Sequence, residues 1–286
     1  MIAEHVERTA APQLRGIADR VVGYRLAGHP AGVHAGLPSP TMTFIVSFDD
    51  PLTLSVQPDG STVRSDHWAM VSGLHDRPAS ILHDGNQHGI QIDVSPLATR
   101  ALFGLPAGAL ARQAVSLDDI VGPHGAELVD RLAASSSWSA RFDVVDHVLT
   151  GRVAALERDR HGADPVRWQL VRAWTRLSDD GAPVADVAAE LGWSRRHLRN
   201  RFRDEFGINP STLTRISRFH RTQRWIRSHP AGSLAEVAAR CGYADQSHMS
   251  RDFSEFAGAS PRSWLRDEQF PSVHDVDTEH VAGSIT

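Results

Sequence analysis

Two short stretches near the C-terminal end carry side chains that could read and grip a polyanion. Arg195, Arg196, Arg199, Asn200 and Arg203 fall within nine residues, and Gln246, Ser247, His248, Ser250 and Arg251 within six. Arginine forks onto the guanine edge and asparagine onto the adenine edge in a major groove. Guanidinium groups also neutralise phosphate. On a helical wheel, Leu198, Phe202 and Phe206 share one side, and Arg196, Asn200 and Arg203 lie about 140–200° away from Leu198. Only the first turns of a recognition helix reach base edges. Arg196, Arg199 and Asn200 are therefore the candidate base contacts, and Arg195 and Arg203 the candidate phosphate contacts. In the second stretch Met249, Phe253 and Phe256 form the apolar side. Ser247 and Arg251 take the angular positions of Arg196 and Asn200, as candidate base contacts. Gln246, His248 and Ser250 are the candidate phosphate contacts, near a helix start where backbone N–H groups point at anions.

What must position these residues is a duplication. Val187-Ala188 matches Val237-Ala238, and Gly192 matches Gly242, at an offset of 50. Leu198, Phe202, Gly207 and Pro210 match Met249, Phe253, Gly258 and Pro261 at 51. Each unit reads as helix, glycine-containing turn, helix. Gly192 ends the first helix and Ser194 is placed to cap the next. Ser233 and Glu236 predict a capping box at the start of the second unit. Alanines near each turn (Ala188, Ala189; Ala238, Ala239) let the helices approach closely, the logic of a helix-turn-helix. Between the units, Ser211–Ser228 reads as a long helix with Leu213, Ile216, Phe219 and Ile226 on one stripe. Such a spacer would hold two recognition helices in adjacent groove segments, about 34 Å apart. Arg215, Arg218, Arg221, Arg224 and Arg227 recur every three residues along it. Some are expected to face phosphate and most to be solvated or paired.

The segment from Pro183 to Trp264 resembles the paired helix-turn-helix domain of AraC/XylS-type transcription regulators. The run Gly258-Ala-Ser-Pro261-Arg-Ser-Trp264-Leu265-Arg266, following Phe253 and Phe256, carries the strongest likeness. The resemblance implies sequence-specific binding to double-stranded DNA, with the positions of Ser247 and Arg251 facing bases. It also implies an N-terminal half that senses a small-molecule effector, and connector helices that pair chains. RNA polymerase and a second copy of the chain are the further partners it suggests.

Charge separates the chain along its length. Residues 165–268 hold 17 Arg against 12 acidic residues, whereas the remainder holds 13 Arg against 22; there is no Lys. A basic third on an acidic body suggests that only that third meets a polyanion. The first helix of candidate contacts, Arg195–Phe206, is net +3, and the second, Gln246–Ala257, net −1. The first is therefore expected to contribute more to binding strength and the second to refine site choice.

The fold class expected is α+β: a β-rich N-terminal domain (a small barrel or sandwich), a helical connector and an all-α C-terminal domain with two helix-turn-helix units. Met42, Phe44, Val46 and Phe48 alternate along Thr41–Phe48, as do Leu52, Leu54 and Val56, and Ile90, Ile92 and Val94. Helical spacing takes over near Ser95, and Phe142, Val145, Leu149, Val153 and Leu156 form one stripe. The expected divisions are 1–113 (effector sensing), 114–160 (connector and dimerisation), 165–268 (DNA binding) and 269–286 (a disordered tail), with a hinge at 158–164. Trp68, Phe44 and Phe48 are candidates to line a ligand pocket. His29, His34, His67, His75, His83 and His88 are spread through the same region without the tight His-x-His and following Glu of a metal-holding cupin. No metal or cofactor is expected.

Catalysis is the competing class, a cupin-like metal-dependent enzyme being its form. No Gly-x-Ser-x-Gly elbow, Walker loop or Rossmann fingerprint is present, and without Lys there is no Schiff-base lysine. A ligand-independent DNA-binding adaptor is the third reading. With one cysteine, Cys241, no apolar run long enough to span a bilayer and no signal-like N-terminus, a cytoplasmic, membrane-free protein is expected.

Overall fold

A computed structural model describes residues 1–158, 167–230 and 232–267. Residues 159–164 of the expected hinge, and the whole of the expected 269–286 tail, lie outside the described residues. Ten strands precede the main helices: β1 (Ile2–Thr9), β2 (Ala18–Ala27), β3 (Gly32–Gly36), β4 (Met42–Ser47), β5 (Leu52–Val56), β6 (Ser65–His67), β7 (Ala69–Ser72), β8 (Ala79–His83), β9 (Gln87–Val94) and β10 (Ala114–Ser116). The α-helices are α1 (Thr99–Phe103), α2 (Leu117–Val121), α3 (His124–Ala133), α4 (Trp138–Arg158), α5 (Arg167–Ser178), α6 (Val184–Glu190), α7 (Arg195–Phe206), α8 (Pro210–Ser228), α9 (Leu234–Arg240), α10 (Gln246–Ala257) and α11 (Pro261–Asp267). The α+β class expected from the sequence is the one found.

The strands form two antiparallel sheets, in the orders β1-β2-β9-β4-β7-β10 and β3-β8-β5-β6. The central strands of the larger sheet, β4, β7 and β9, are largely buried on both faces. Alternation sends Met42, Phe44, Val46, Ile90, Ile92 and Val94 to one face, where they share a core with the helices. Phe142, Val145, Leu149 and Val153 of α4 belong to that core, as their spacing predicts, while Leu156 is half-buried. The opposite face turns Ile45 and Met70 toward Leu52, Leu54, Ala79 and Ile81, in a small second core between the sheets. Tyr24, Gln91 and Thr43 border a cavity on this side.

This two-faced burial corrects the expected pocket lining. Phe44 is buried on the helix side. Phe48 packs against His88 and Trp138, and Trp68 is 48% exposed. None of the three borders either cavity described between the sheets.

The start of α4 is locked onto the sheet by Trp138. Its indole Nε1 donates to Glu4 at 2.8 Å, and a Cβ at Gly23 would meet its ring at 2.4 Å. Arg141 lies over both Phe48 (4.5 Å) and Trp138 (4.8 Å). The two halves of the chain touch through the 3-10 turn Ala107–Leu110. Gly108 packs against the C-terminal end of α7, where an added Cβ would lie 3.0 Å from the Asp204 carbonyl oxygen. Arg100 forks onto Glu205 across the same seam, Nε to Oε1 and Nη2 to Oε2 both at 2.8 Å.

Three of the six histidines are visibly structural. His67 lies between the hydroxyls of Ser65 and Ser116, and His88 bonds Asp49. Buried His75 donates Nδ1–H to the Arg77 carbonyl, and burial pushes its pKa down. Among the described residues no group of three or more His, Cys, Asp or Glu is placed to hold a metal. His75 is more easily protonated when unfolded, so its contribution is present above the ordinary imidazole pKa of about 6.5 and is lost as pH falls below it. Chemical denaturation from pH 7.5 to 5 should show a decline in stability that is shallower in His75→Asn.

Candidate nucleic-acid interface

Each unit of the duplication is a helix pair closed on an aromatic core. In the first, Leu198, Phe202 and Phe206 are fully buried, and Trp174 of α5 stacks on Phe202 with ring centroids 5.8 Å apart. In the second, Met249, Phe253 and Phe256 are fully buried. Phe219 of α8 meets Phe253 at 4.9 Å, and Trp264 closes the other side at 5.6 Å. Because one side of α7 and of α10 is committed to this packing, the opposite side must face outward.

The turns are built as the repeat predicts. Gly192 and Gly242 both adopt φ near +70 to +80° (69° and 78°), a conformation that L side chains rarely take. Ser194 accepts from the His197 N–H at 3.1 Å and so caps α7. The expected capping box of Ser233 and Glu236 does not form: Ser233 makes no side-chain cap bond, and Glu236 pairs instead with Arg240, one turn on, at 3.0 Å. The cap that sequence reasoning missed is Asp245, which accepts from the His248 N–H at 2.7 Å. Aspartate just before a periodic apolar run was the available signal.

On α7 the residues singled out come together. Arg195, Arg196, Arg199, Asn200 and Arg203 are all exposed, and their side chains have no hydrogen bond or ion pair among the described residues. Four guanidinium groups thus share one helix face without a neutralising acid. On α10, Gln246, Ser247 and Arg251 are exposed, while His248 and Ser250 are half-buried. The His248 ring meets Tyr243 edge-on at 5.2 Å, and its Nε2 accepts from Arg218 at 3.4 Å. His248 is therefore engaged inside the domain.

The acids of α10 do not face outward with Arg251. Asp252 is buried, 2% exposed, and accepts from Arg215 at 2.8 Å and from Arg218 at 3.3 Å. Arg215 also pairs with Glu255. Of the five spacer arginines, Arg221 bonds the Asp179 carbonyl (3.2 Å) and Arg227 lies over Trp264 (4.5 Å). The net charge of −1 summed along α10 is therefore not the charge its outward face presents.

A family described as "Helix-turn-helix domain" matches residues 187–267, which cover α7, α8 and α10. Residues 187–267 are thus similar to a helix-turn-helix domain, in agreement with the AraC/XylS-type likeness of the sequence. Among curated relatives, the HTH-type transcriptional activator RhaR of Cronobacter sakazakii is 35% identical over 71 residues, 25% of each chain. The arabinose operon regulatory protein of Salmonella typhimurium is 24% identical over 50% of this chain and 54% of its own. The probable thc operon regulatory protein of Rhodococcus erythropolis is 24% identical over 73% and 61%. This chain thus spans 25%, 54% and 61% of the lengths of these three relatives. In fold, ToxT from Vibrio cholerae superposes with a TM-score of 0.50 at 15% identity, covering 86% of this chain and 97% of that one. The likeness is one of fold and extends over both the β-rich N-terminal part and the helical C-terminal part.

The caps and the Asp252 cluster should be separable by stability. Ser194→Ala and Asp245→Ala are each expected to lower unfolding free energy by about 1 kcal/mol. Arg215→Met strips Asp252 of its shorter ion pair and should cost about 2 kcal/mol. Urea denaturation checks both, and equal losses for all three would deny Asp252 its special place.

Proposed function

We propose that the chain is a sequence-specific DNA-binding transcriptional regulator whose α7 and α10 enter adjacent major-groove segments, under control of a small-molecule effector held in the N-terminal domain. The observation that carries this reading is the capped α7 face with four unpaired arginines beside Asn200. Unpaired guanidinium groups on a rigid helix are preorganised for phosphate and guanine, with no internal ion pair to break first. In this reading Arg196, Arg199, Asn200, Ser247 and Arg251 meet bases, and Arg195, Arg203, Gln246 and Ser250 meet phosphates. His248 acts mainly by holding the start of α10, where backbone N–H groups face the duplex.

The names of the relatives support regulation of transcription. The arrangement of the chain supports control by the N-terminal domain, because the Arg100–Glu205 pair and the Gly108 contact join that domain to α7 itself. One solved structure is of ToxT with an unsaturated fatty acid bound. The reading divides the chain into a sensing part at 1–113, a connector at 114–160 that pairs two copies, and a DNA-binding part at 165–268. It places the protein in the cytoplasm with RNA polymerase as a partner, and assigns it no catalysis. Among the described residues no helix is long and apolar enough to cross a membrane.

Selection of binding sites from genomic fragments, followed by gel shift at several salt concentrations, tests the proposal. Affinity should fall steeply with salt. Arg199→Ala should weaken the selected site by about 1–3 kcal/mol and relax preference at one base pair, whereas Arg195→Ala should weaken all sequences alike. A chain that binds no duplex at low salt would refute the reading.

A further inference from the structure

Between the two sheets lies a cleft of about 630 Å³, within the range of small-molecule sites. It leads to a narrower chamber, and Tyr24, Leu52 and Gln87 border both. The chamber is mostly apolar where Ile45, Leu54, Met70 and Ile81 close it.

Tyr24 stands where the two spaces join. It is only 2% exposed, and its hydroxyl has no hydrogen-bond partner among the described residues. Burial pushes its ionisation far above the usual phenol range, so the group remains a neutral donor. The tip of its ring has room only because residue 89 is glycine: a Cβ there would sit 2.8 Å from the hydroxyl and 2.4 Å from the Val46 carbonyl oxygen. Buried hydroxyls are rarely left unpaired, and one facing a cavity is a group awaiting a partner.

The mouth of the cleft is acidic. Asp49, Asp50, Asp66 and Asp84 border it, against Arg25 and Arg64. Neither arginine is bonded to Asp50 among the described residues. Strand alternation sends Arg25 to the face opposite Tyr24, and the Arg64 side chain is 67% exposed and 3.8 Å from Asp66. Asp49 is bonded by His88 Nδ1 at 2.9 Å. The other ring nitrogen of His88 lies 3.2 Å from the Arg141 guanidinium, whose positive charge also acts on Asp49, so Asp49 is already engaged. Asp50 has no partner among the described residues.

We propose that this cleft binds a small organic ammonium compound, with its cationic end at Asp50, its apolar body toward Leu52 and Ile45, and an oxygen acceptor on that body taking the Tyr24 hydroxyl. This names the effector class of the regulator reading and rests on it. Binding to the protein without DNA is measured independently of any operator, so failure here leaves the gel-shift result standing, and the reverse.

The test is calorimetric titration of the full chain with 6-aminohexan-1-ol, hexylammonium and 6-hydroxyhexanoate. The amino alcohol should bind, and the hydroxy acid should bind at least about tenfold more weakly. Asp50→Asn should weaken both ammonium probes by about fivefold to tenfold. Tyr24→Phe removes only a hydroxyl; it should weaken the amino alcohol severalfold and leave hexylammonium unchanged. Circular dichroism of each variant verifies folding. Equal or tighter binding of the hydroxy acid, indifference of the ammonium probes to Asp50→Asn, equal effects of Tyr24→Phe on both ammonium probes, or no heat from any probe up to the millimolar range would overturn the proposal.

Discussion

A carboxylate removed from water joins the spacer helix to the second recognition helix, and the geometry of the C-terminal domain turns on it. Asp252 sits beneath α10 with Arg215 and Arg218 of α8 on its two oxygens. Such a group contributes little net stability, because desolvation offsets most of the attraction. Its effect is on orientation. Any rotation of α10 that drew Asp252 away from both arginines would leave a buried charge unpaired, which is far more costly than loss of an apolar contact. The aromatic cluster of Phe219, Phe253, Phe256 and Trp264 sets how close the helices come, and the ion pairs set which way α10 faces.

The same feature explains where the sequence misleads. The duplicated register, the glycine turns, the buried faces of α7 and α10 and the stripe of α4 follow from local spacing, and they are found where that spacing puts them. The charge of α10 does not follow from local spacing. Summed along the chain, Asp252 and Glu255 oppose Arg251; in space they belong to arginines 34 to 40 residues earlier. The Glu236 cap fails for a related reason, since a carboxylate with an arginine one turn on has an alternative partner. For the exposed positions of α7 no such competitor exists, so residue type and angle sufficed to gather them on one face.

The N-terminal domain was less legible. Alternation marks β4, β5 and β9, yet it cannot say which face meets what when both faces of a sheet are buried. Phe44 is core on the helix side, and the cavity belongs to the intervening positions, Thr43 and Ile45. β1 (Ile2–Thr9) has largely polar or charged side chains and joins through backbone pairing with β2, from Ile2↔Ala27 to Thr9↔Arg20. Backbone pairing leaves no periodic signature in composition. Tyr24, on a strand read only from the fold, is correspondingly invisible as a cavity residue until the sheets are assembled.

Gly207 fulfils two unrelated requirements at once. Its φ of 73° ends α7, and a Cβ there would sit 2.2 Å from that of Ala111 in the neighbouring domain. Its counterpart Gly258 also has a positive φ, of 69°, but meets only Pro78, at 4.0 Å. Asparagine, which tolerates left-handed backbone, could stand in for the second glycine but not for the first. Under mutational drift the two lobes are therefore unequal: the later one is free to exchange its terminator, whereas the earlier one is held to a single residue by a neighbour outside its own repeat.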